Sequence, residues 1–269
     1  MNSIQDKINN SVFQNSNSIQ FNPSNEIMNY GVEIVIEVSE DEVFTINYEV
    51  AVCWELKNRL GEYLISVRFK NFLINQNKPE LLMEILAERC RQPINDIKFL
   101  TSNEGKIIDI LNHEAIIEKW QDVKEVLRKE YSGSIFERYL ALQENIITNK
   151  VFLLEKLKKD VFLSQFFSGI YNKNFKDYFF KDIESPDFMD ISYEIPVNIE
   201  MLNQGIYSQK KELFLRKSID EEAYNFNQMP IKNYKTFYTL DGNHFIKNVM
   251  GKFEALNQSI SFSVNLKER

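Results

Sequence analysis

The clearest pattern along this chain is an alternation of apolar and polar positions over residues 32–69. It has three parts, separated by polar turns near residues 39–42 and 58–61. Because successive side chains of a strand point to opposite faces, the pattern predicts three strands with one buried face, arranged as an antiparallel meander. The apolar positions are Val32, Ile34, Ile36 and Val38, then Phe44, Ile46, Tyr48, Val50, Val52 and Trp54, then Tyr63, Ile65, Val67 and Phe69.

The middle of the chain changes to helical spacing. A short apolar stripe after Pro79 predicts one helix, and residues 97–101 and 106–111 predict a hairpin around a glycine turn. Apolar residues three or four positions apart then predict helices over residues 112–131, 134–148 and 151–167. Strand patterns return afterwards, at residues 192–199, 213–215, 234–240, 244–250 and 260–266.

This order of elements predicts the α+β class. We expect a curved antiparallel β-sheet built from the N- and C-terminal strand blocks and packed against a central group of helices. The domain would cover residues 31–269, with strands in 31–111, helices in 112–180 and strands in 190–269. Residues 1–30 would form a flexible polar arm, since 16 of these 30 residues are Asn, Ser or Gln. The alternative is two separate β domains joined by a helical hairpin.

Charge and composition narrow the functional classes. The chain is 43% apolar and 26% charged with a net charge of −7, which argues against a dedicated nucleic-acid binder. No stretch is apolar for long enough to span a membrane, and the first 30 residues do not resemble a leader, so we expect a cytoplasmic protein. Cys53 and Cys90 are expected to be two reduced thiols.

Ten aromatic residues fall between Phe162 and Tyr193. The first of them have helical spacing and predict core packing, whereas from residue 171 onward the spacing is irregular and polar residues are interleaved. That second part is typical of an interface or a cavity mouth. The candidate interface residues are Tyr171, Phe175, Tyr178, Phe179 and Phe180, and the candidate residues of an apolar cleft between sheet and helices are Trp54, Trp120 and Phe167.

Motifs for catalysis are missing from the sequence. It has two histidines, no pair of closely spaced cysteines, and no phosphate-binding or nucleotide-binding loop, so we predict no catalytic residues, no metal ligands and no cofactor. His113 and Asp160 are expected to face solvent. A group of acidic residues is expected to form a solvated loop: Asp182, Glu184, Asp187 and Asp190.

Three hypotheses about function follow from these patterns. The leading one is a non-enzymatic protein-binding or accessory subunit, which contacts another protein or a second copy of itself through the aromatic surface. The alternative is a carrier of an apolar small molecule in the cleft between sheet and helices. The third is a hydrolase-like enzyme built on His113, Asp160 and Tyr171.

Overall fold

The fold is built on one large antiparallel sheet. The computed structural model describes residues 18–20, 25–39, 42–184, 187–188, 191–192, 194–203, 207–224, 231–255 and 258–267. Within them the strands are β1 (Ile27–Ser39), β2 (Glu42–Lys57), β3 (Tyr63–Ile74), β4 (Asp96–Thr101), β5 (Ile107–Ile110), β6 (Phe179–Glu184), β7 (Asp187–Phe188), β8 (Ile191–Ser192), β9 (Ile195–Met201), β10 (Leu213–Ile219), β11 (Ile231–Leu240), β12 (Ile246–Ala255) and β13 (Gln258–Leu266). Eleven of these strands form the sheet, in the order β5–β4–β3–β2–β1–β13–β12–β11–β10–β9–β6, and β7 pairs with β8 separately.

The N- and C-terminal strand blocks join at the pairing of β1 with β13. Val32 lies opposite Val264, and Ile34 lies opposite Phe262, all on the same buried face. The large antiparallel sheet packed with helices confirms the predicted α+β class and the predicted union of the two strand blocks.

The sheet curves until its two outer strands approach each other. Lys106, in the turn before β5, places its Nζ 2.6 Å from Asp182 Oδ2 in β6, although β5 and β6 lie at opposite ends of the strand order. Among the described residues no backbone pairing joins β5 to β6, so the sheet stays open along this line. We call the gap between β5 and β6 the seam.

The helices are α1 (Leu82–Arg91), α2 (His113–Glu130), α3 (Ser134–Thr148), α4 (Lys150–Lys158) and α5 (Val161–Phe166), with a short 3₁₀ turn at Gln92–Ile94. The prediction of a single helix over residues 151–167 is wrong, because the helical structure is interrupted between α4 and α5. Asp160 begins the second helix: its Oδ1 accepts a hydrogen bond from Leu163 N at 3.0 Å. A side-chain cap of this kind favours a new helix start over continuation of the first helix.

Aromatic side chains of α5 and the following residue fill the concave face of the sheet. Their ring centroids lie 5.0–6.1 Å from those of sheet aromatics, in the pairs Phe166–Tyr30, Phe167–Trp54 and Phe162–Phe69. These are edge-to-face contacts, which aromatic pairs prefer over face-to-face stacking. The predicted core role of the first aromatic residues is therefore confirmed.

The strand β6 corrects the prediction that helices extend to residue 180. Phe180 pairs with Ile199, and the strand continues to Glu184 opposite Ile195, which places residues 179–184 at the end of the sheet. This strand does not show the expected alternation in the sequence, because Asp182 and Glu184 occupy its inward positions, where an apolar residue is expected.

Part of the predicted N-terminal arm belongs to the fold. Ile19 is completely buried, and its carbonyl accepts a hydrogen bond from Asn172 N at 2.8 Å. The strand β1 also starts at Ile27, before the predicted boundary, because Ile27 pairs with Cys53. Residues 1–17 and 21–24 of the arm lie outside the described residues.

Two further expectations can be compared with the structure. Cys53 and Cys90 are both free thiols, as predicted. In the described part of the chain, no helix combines the length and the apolar character that crossing a membrane would require.

We predict that Gly251→Ala destabilises the fold by about 1–3 kcal/mol, the usual effect of overpacking a core. A Cβ at this position would lie 2.4 Å from the ring of Phe262 and 2.9 Å from Lys235 O, and neither the buried ring nor the backbone can move aside freely. The measurement is the free energy of unfolding in urea. Gly242→Ala is the control, because its Cβ would meet its nearest atoms at 3.5 Å. Equal stability of the two variants would contradict this packing.

Candidate functional site

A cavity lies at the seam, between the sheet edge and the helices α4 and α5. Its volume is ≈ 320 Å³. Four apolar residues line it, Ile107, Leu163, Phe167 and Ile183, together with the polar residues Ser164, Gln165, Ser168, Glu184 and Tyr234. Hydrogen bonds link Gln165 to Tyr234 and Tyr234 to Glu184, and we call the part of the cavity lined by these three residues its polar end. The lining is completed by the partly exposed Lys106, Lys158 and Lys159 and the exposed Glu155. We call this space the seam cavity.

An ion pair is buried at the polar end of the seam cavity. Lys217, in β10, is completely buried, and its Nζ lies 2.8 Å from both carboxylate oxygens of Glu184 at the end of β6. The hydroxyl of Tyr234, in β11, donates a hydrogen bond to the same carboxylate. The carboxylate therefore faces two donors inside the protein, and bonds of this charge-assisted kind are stronger than neutral ones.

Neutral polar groups extend this network. Gln165 is fully buried; its Nε2 donates to Tyr234 OH at 3.0 Å, and its Oε1 accepts from Thr236 Oγ1 at 3.2 Å. Tyr238 OH donates to Ser168 Oγ at 3.2 Å. Buried polar groups are stable only when they are hydrogen-bonded, and this network satisfies that condition at its centre.

The electrostatics fix the protonation states of the network. Burial is the largest single influence on the pKa of Lys217 and would lower it, but the charge of Glu184, the neighbouring Tyr234 and Tyr238 and the hydrogen bond to Glu184 together outweigh burial, so that this pKa is raised above its usual value. Burial, followed by the charge of Glu184, raises the pKa of Tyr234 well above its usual value. At neutral pH Lys217 is therefore a cation and Tyr234 a neutral donor, so neither is prepared to act as a nucleophile or a base.

The sequence analysis did not identify Lys217 as a site residue, although its position in the apolar pattern of β10 indicates that it is buried. Leu213, Leu215, Lys217 and Ile219 occupy alternate positions of one strand and share its buried face. A lysine in the inward register of an apolar strand is rare unless it is paired, so it indicates a buried acidic partner.

The structure separates the predicted interface residues into two groups. Tyr171 and Phe175 are buried, and Phe180 is partly buried with its ring centroid 4.8 Å from that of Phe175. Tyr178 and Phe179 are exposed, at 39% and 40%. Any surface contact of this segment therefore rests on Tyr178 and Phe179.

The predicted cleft residues are also divided. Phe167 lines the seam cavity, and Trp54 packs directly behind it in the sheet. Trp120 is buried in α2 and is not part of the cavity lining. The space that the prediction placed above these residues is filled by α5, and the cavity that remains lies to one side of it.

The residues of the enzyme hypothesis have structural contacts of their own. His113 is only partly exposed, with Nε2 2.8 Å from Ile147 O, and Tyr171 OH donates to His244 O at 3.1 Å. Asp160 caps α5, and burial raises its pKa. His113 and Asp160 are both partly exposed, so the expectation that they face solvent is only partly correct: each also makes a hydrogen bond within the protein. Of the described cavity-lining residues, none is His113, Asp160 or Tyr171.

Of the four acidic residues predicted to form a solvated loop, the two whose side chains are described, Asp182 and Glu184, are not in a loop. Asp182 and Glu184 lie in β6 and form ion pairs with Lys106 and Lys217, because alternate positions of this strand turn toward the interior. The side chains of Asp187 and Asp190 lie outside the described residues. Within the described part of the chain, no group of three His, Cys, Asp or Glu side chains is placed to hold a metal ion.

Comparisons with known proteins add little to this geometry. No protein-family model matches the chain, and no curated protein matches it. A solved structure described as "Lipid-protein interactions in lipovitellin" is 11% identical, with a TM-score of 0.46, and the match covers 93% of this chain and 26% of that one. A LolA superfamily protein from Nitrosomonas europaea is 9% identical, with a TM-score of 0.21, over 97% of this chain and 94% of the other. At these TM-scores neither likeness carries an argument about function.

We predict that Lys217→Met destabilises the protein by about 1–3 kcal/mol, because the carboxylate of Glu184 loses its cation and must turn toward water to be hydrated. Adding Glu184→Gln to this variant should restore much of the loss, since the remaining buried groups are then neutral. The measurement is the free energy of unfolding of the two single variants and the double variant.

The control for this cycle is Lys252→Met, which also removes a strand lysine from an ion pair. Its partner is Glu254, at 2.6 Å, and both side chains are well exposed, so we expect a change within about 1 kcal/mol. If Lys217→Met and Lys252→Met lower the free energy of unfolding by the same amount, the buried pair contributes no more to stability than an exposed one.

Proposed function

We propose that this protein is a non-enzymatic binding protein that holds an apolar small molecule in the seam cavity. The observation that carries the proposal is the mixed lining of the cavity, in which four apolar side chains, Ile107, Leu163, Phe167 and Ile183, accompany a polar group fixed by hydrogen bonds. Small-molecule sites are mostly apolar, with a few fixed polar groups that orient the ligand. This was the alternative hypothesis from the sequence.

The size of the seam cavity limits what it can hold. A volume of ≈ 320 Å³ is near the lower end of the range of about 300–1,000 Å³ that is usual for ligand sites. The ligand is therefore small, or only one chain of it is enclosed. The opening at the seam offers a route of entry, because β5 and β6 are joined there by side chains such as Lys106 and Asp182 rather than by backbone pairing.

Protein binding through the aromatic surface is the second candidate, and one observation favours it. Phe179 and Ile183 in β6, an outer strand of the sheet, are exposed, and so is Tyr178 immediately before it. Exposed apolar side chains on an outer strand are suited to contact with another chain.

We predict that Ser164→Phe weakens binding of the neutral fluorescent probe N-phenylnaphthylamine at least ten-fold. Ser164 lies in α5 and lines the seam cavity, so a phenyl ring in its place would occupy the volume that the ligand needs. The measurement is fluorescence titration of the full chain, together with its melting temperature to establish that the variant is folded.

Ser218→Phe is the matched control, because Ser218 is a partly exposed residue of β10 that does not line the cavity. We expect it to bind the probe as the unmodified protein does. Absence of probe binding to the unmodified protein, or equal binding by both variants, would contradict the proposed function.

For the second candidate, we predict that Phe179→Ser shifts the protein toward the monomer in sedimentation equilibrium, because it removes an exposed ring from the outer strand. Phe237→Ser is the control: that ring is 39% exposed but lies in β11, within the sheet. A protein that is monomeric at all concentrations, or that responds equally to both substitutions, would rule out self-association through β6.

A further inference from the structure

Glu184 occupies the position of a bound carboxylate at the polar end of the seam cavity. Both of its oxygens are held by Lys217 at 2.8 Å, and the hydroxyl of Tyr234 donates to it as well. An ammonium group and a hydroxyl that converge on one carboxylate form a receptor for that chemical group. Here the receptor is filled by a side chain of the protein itself.

The cation of this receptor is fixed in place. Lys217 is completely buried in β10, which is paired on both sides with other strands of the sheet. Its Nζ lies 5.5 Å from the ring centroid of Tyr234 and 5.6 Å from that of Tyr238, within the range of cation–π attraction. The ammonium group therefore stays at the end of the cavity whether or not Glu184 is beside it.

The carboxylate is held less firmly than the cation. Glu184 is the last residue of β6, an outer strand that pairs with β9 alone, and its side chain is 14% exposed. The neighbouring residue Ile183 is 62% exposed. Rotation of the Glu184 side chain can therefore carry its carboxylate out of the receptor without breaking the pairing of the sheet.

Departure of Glu184 requires a replacement anion. An unpaired buried ammonium group is strongly destabilised, so Lys217 favours any other carboxylate that can reach it. Lys217 does not itself line the seam cavity but lies directly behind Glu184, which lines the cavity together with Leu163 and Phe167, so an anion reaches Lys217 from the cavity once Glu184 has moved aside. A ligand that follows this route must have an apolar body and an anionic end.

We propose that the seam cavity takes an amphipathic carboxylate of the fatty-acid type, whose carboxylate replaces that of Glu184 on Lys217 and Tyr234. This inference rests on the proposed function. The alkyl chain lies against Leu163 and Phe167. In the bound state the Glu184 side chain turns outward toward water.

The test compares three ligands that share one alkyl chain: decanoate, decanol and decylamine. Their affinities are measured at neutral pH by displacement of N-phenylnaphthylamine from the full chain. We expect decanoate to bind the unmodified protein at least ten-fold more tightly than decanol. Glu184→Gln should strengthen decanoate binding at least a further ten-fold, because the competing charge is gone. Lys217→Met should abolish the preference for decanoate, and Lys252→Met should leave it unchanged.

Two results would overturn the inference while leaving the proposed function intact. They are equal binding of decanoate and decanol, or a preference for decylamine, in a protein that still binds N-phenylnaphthylamine. If Glu184→Gln does not fold, the double variant Lys217→Met with Glu184→Gln decides instead. It should bind decanoate no better than decanol, and a retained preference would contradict the assignment of Lys217. If the unmodified protein does not bind N-phenylnaphthylamine at all, the proposed function itself is wrong.

Discussion

The structure depends on the contact between the aromatic residues of α5 and the concave face of the sheet. A helix as short as Val161–Phe166 has no stability of its own, so Phe162, Phe166 and the adjacent Phe167 hold it in place by packing against strand residues. This contact closes the centre of the concave face. It also points Gln165 toward β11, where it joins the polar network, and it leaves the seam cavity open on one side.

The buried ion pair adds a constraint of a different kind. Pairing Lys217 with Glu184 links an inner strand to the outer strand β6, across the strand that lies between them. A buried ion pair is rarely more stabilising than apolar side chains of similar volume at the same positions, because the loss of hydration offsets much of the attraction between the charges. The Lys217–Glu184 pair is therefore expected to add little net stability, although removal of one partner alone is costly.

Much of the fold could be predicted from the sequence, because one face of the sheet is buried and each strand shows that face as an alternation. The strand residues Val50, Val52 and Trp54 are an example, and all three are buried. The strand β6 could not be recognised, because its inward positions are acidic and become acceptable only through Lys106 and Lys217, which lie far away in the sequence. The alternation in β10 indicates that Lys217 needs a buried acidic partner, but periodicity does not identify which residue supplies it. The candidate site was missed for the same reason.

Crystallography of the protein with a bromine-terminated alkyl carboxylate would determine whether the seam cavity is a ligand site. Bromine scatters anomalously, so the position of the chain end can be determined without assuming where the ligand lies. We expect an anomalous peak beside Leu163 and Phe167, with the carboxylate on Lys217. At a saturating concentration of the probe, the absence of a peak in the cavity, or a peak only on the convex face near Phe237 and Met250, would contradict it.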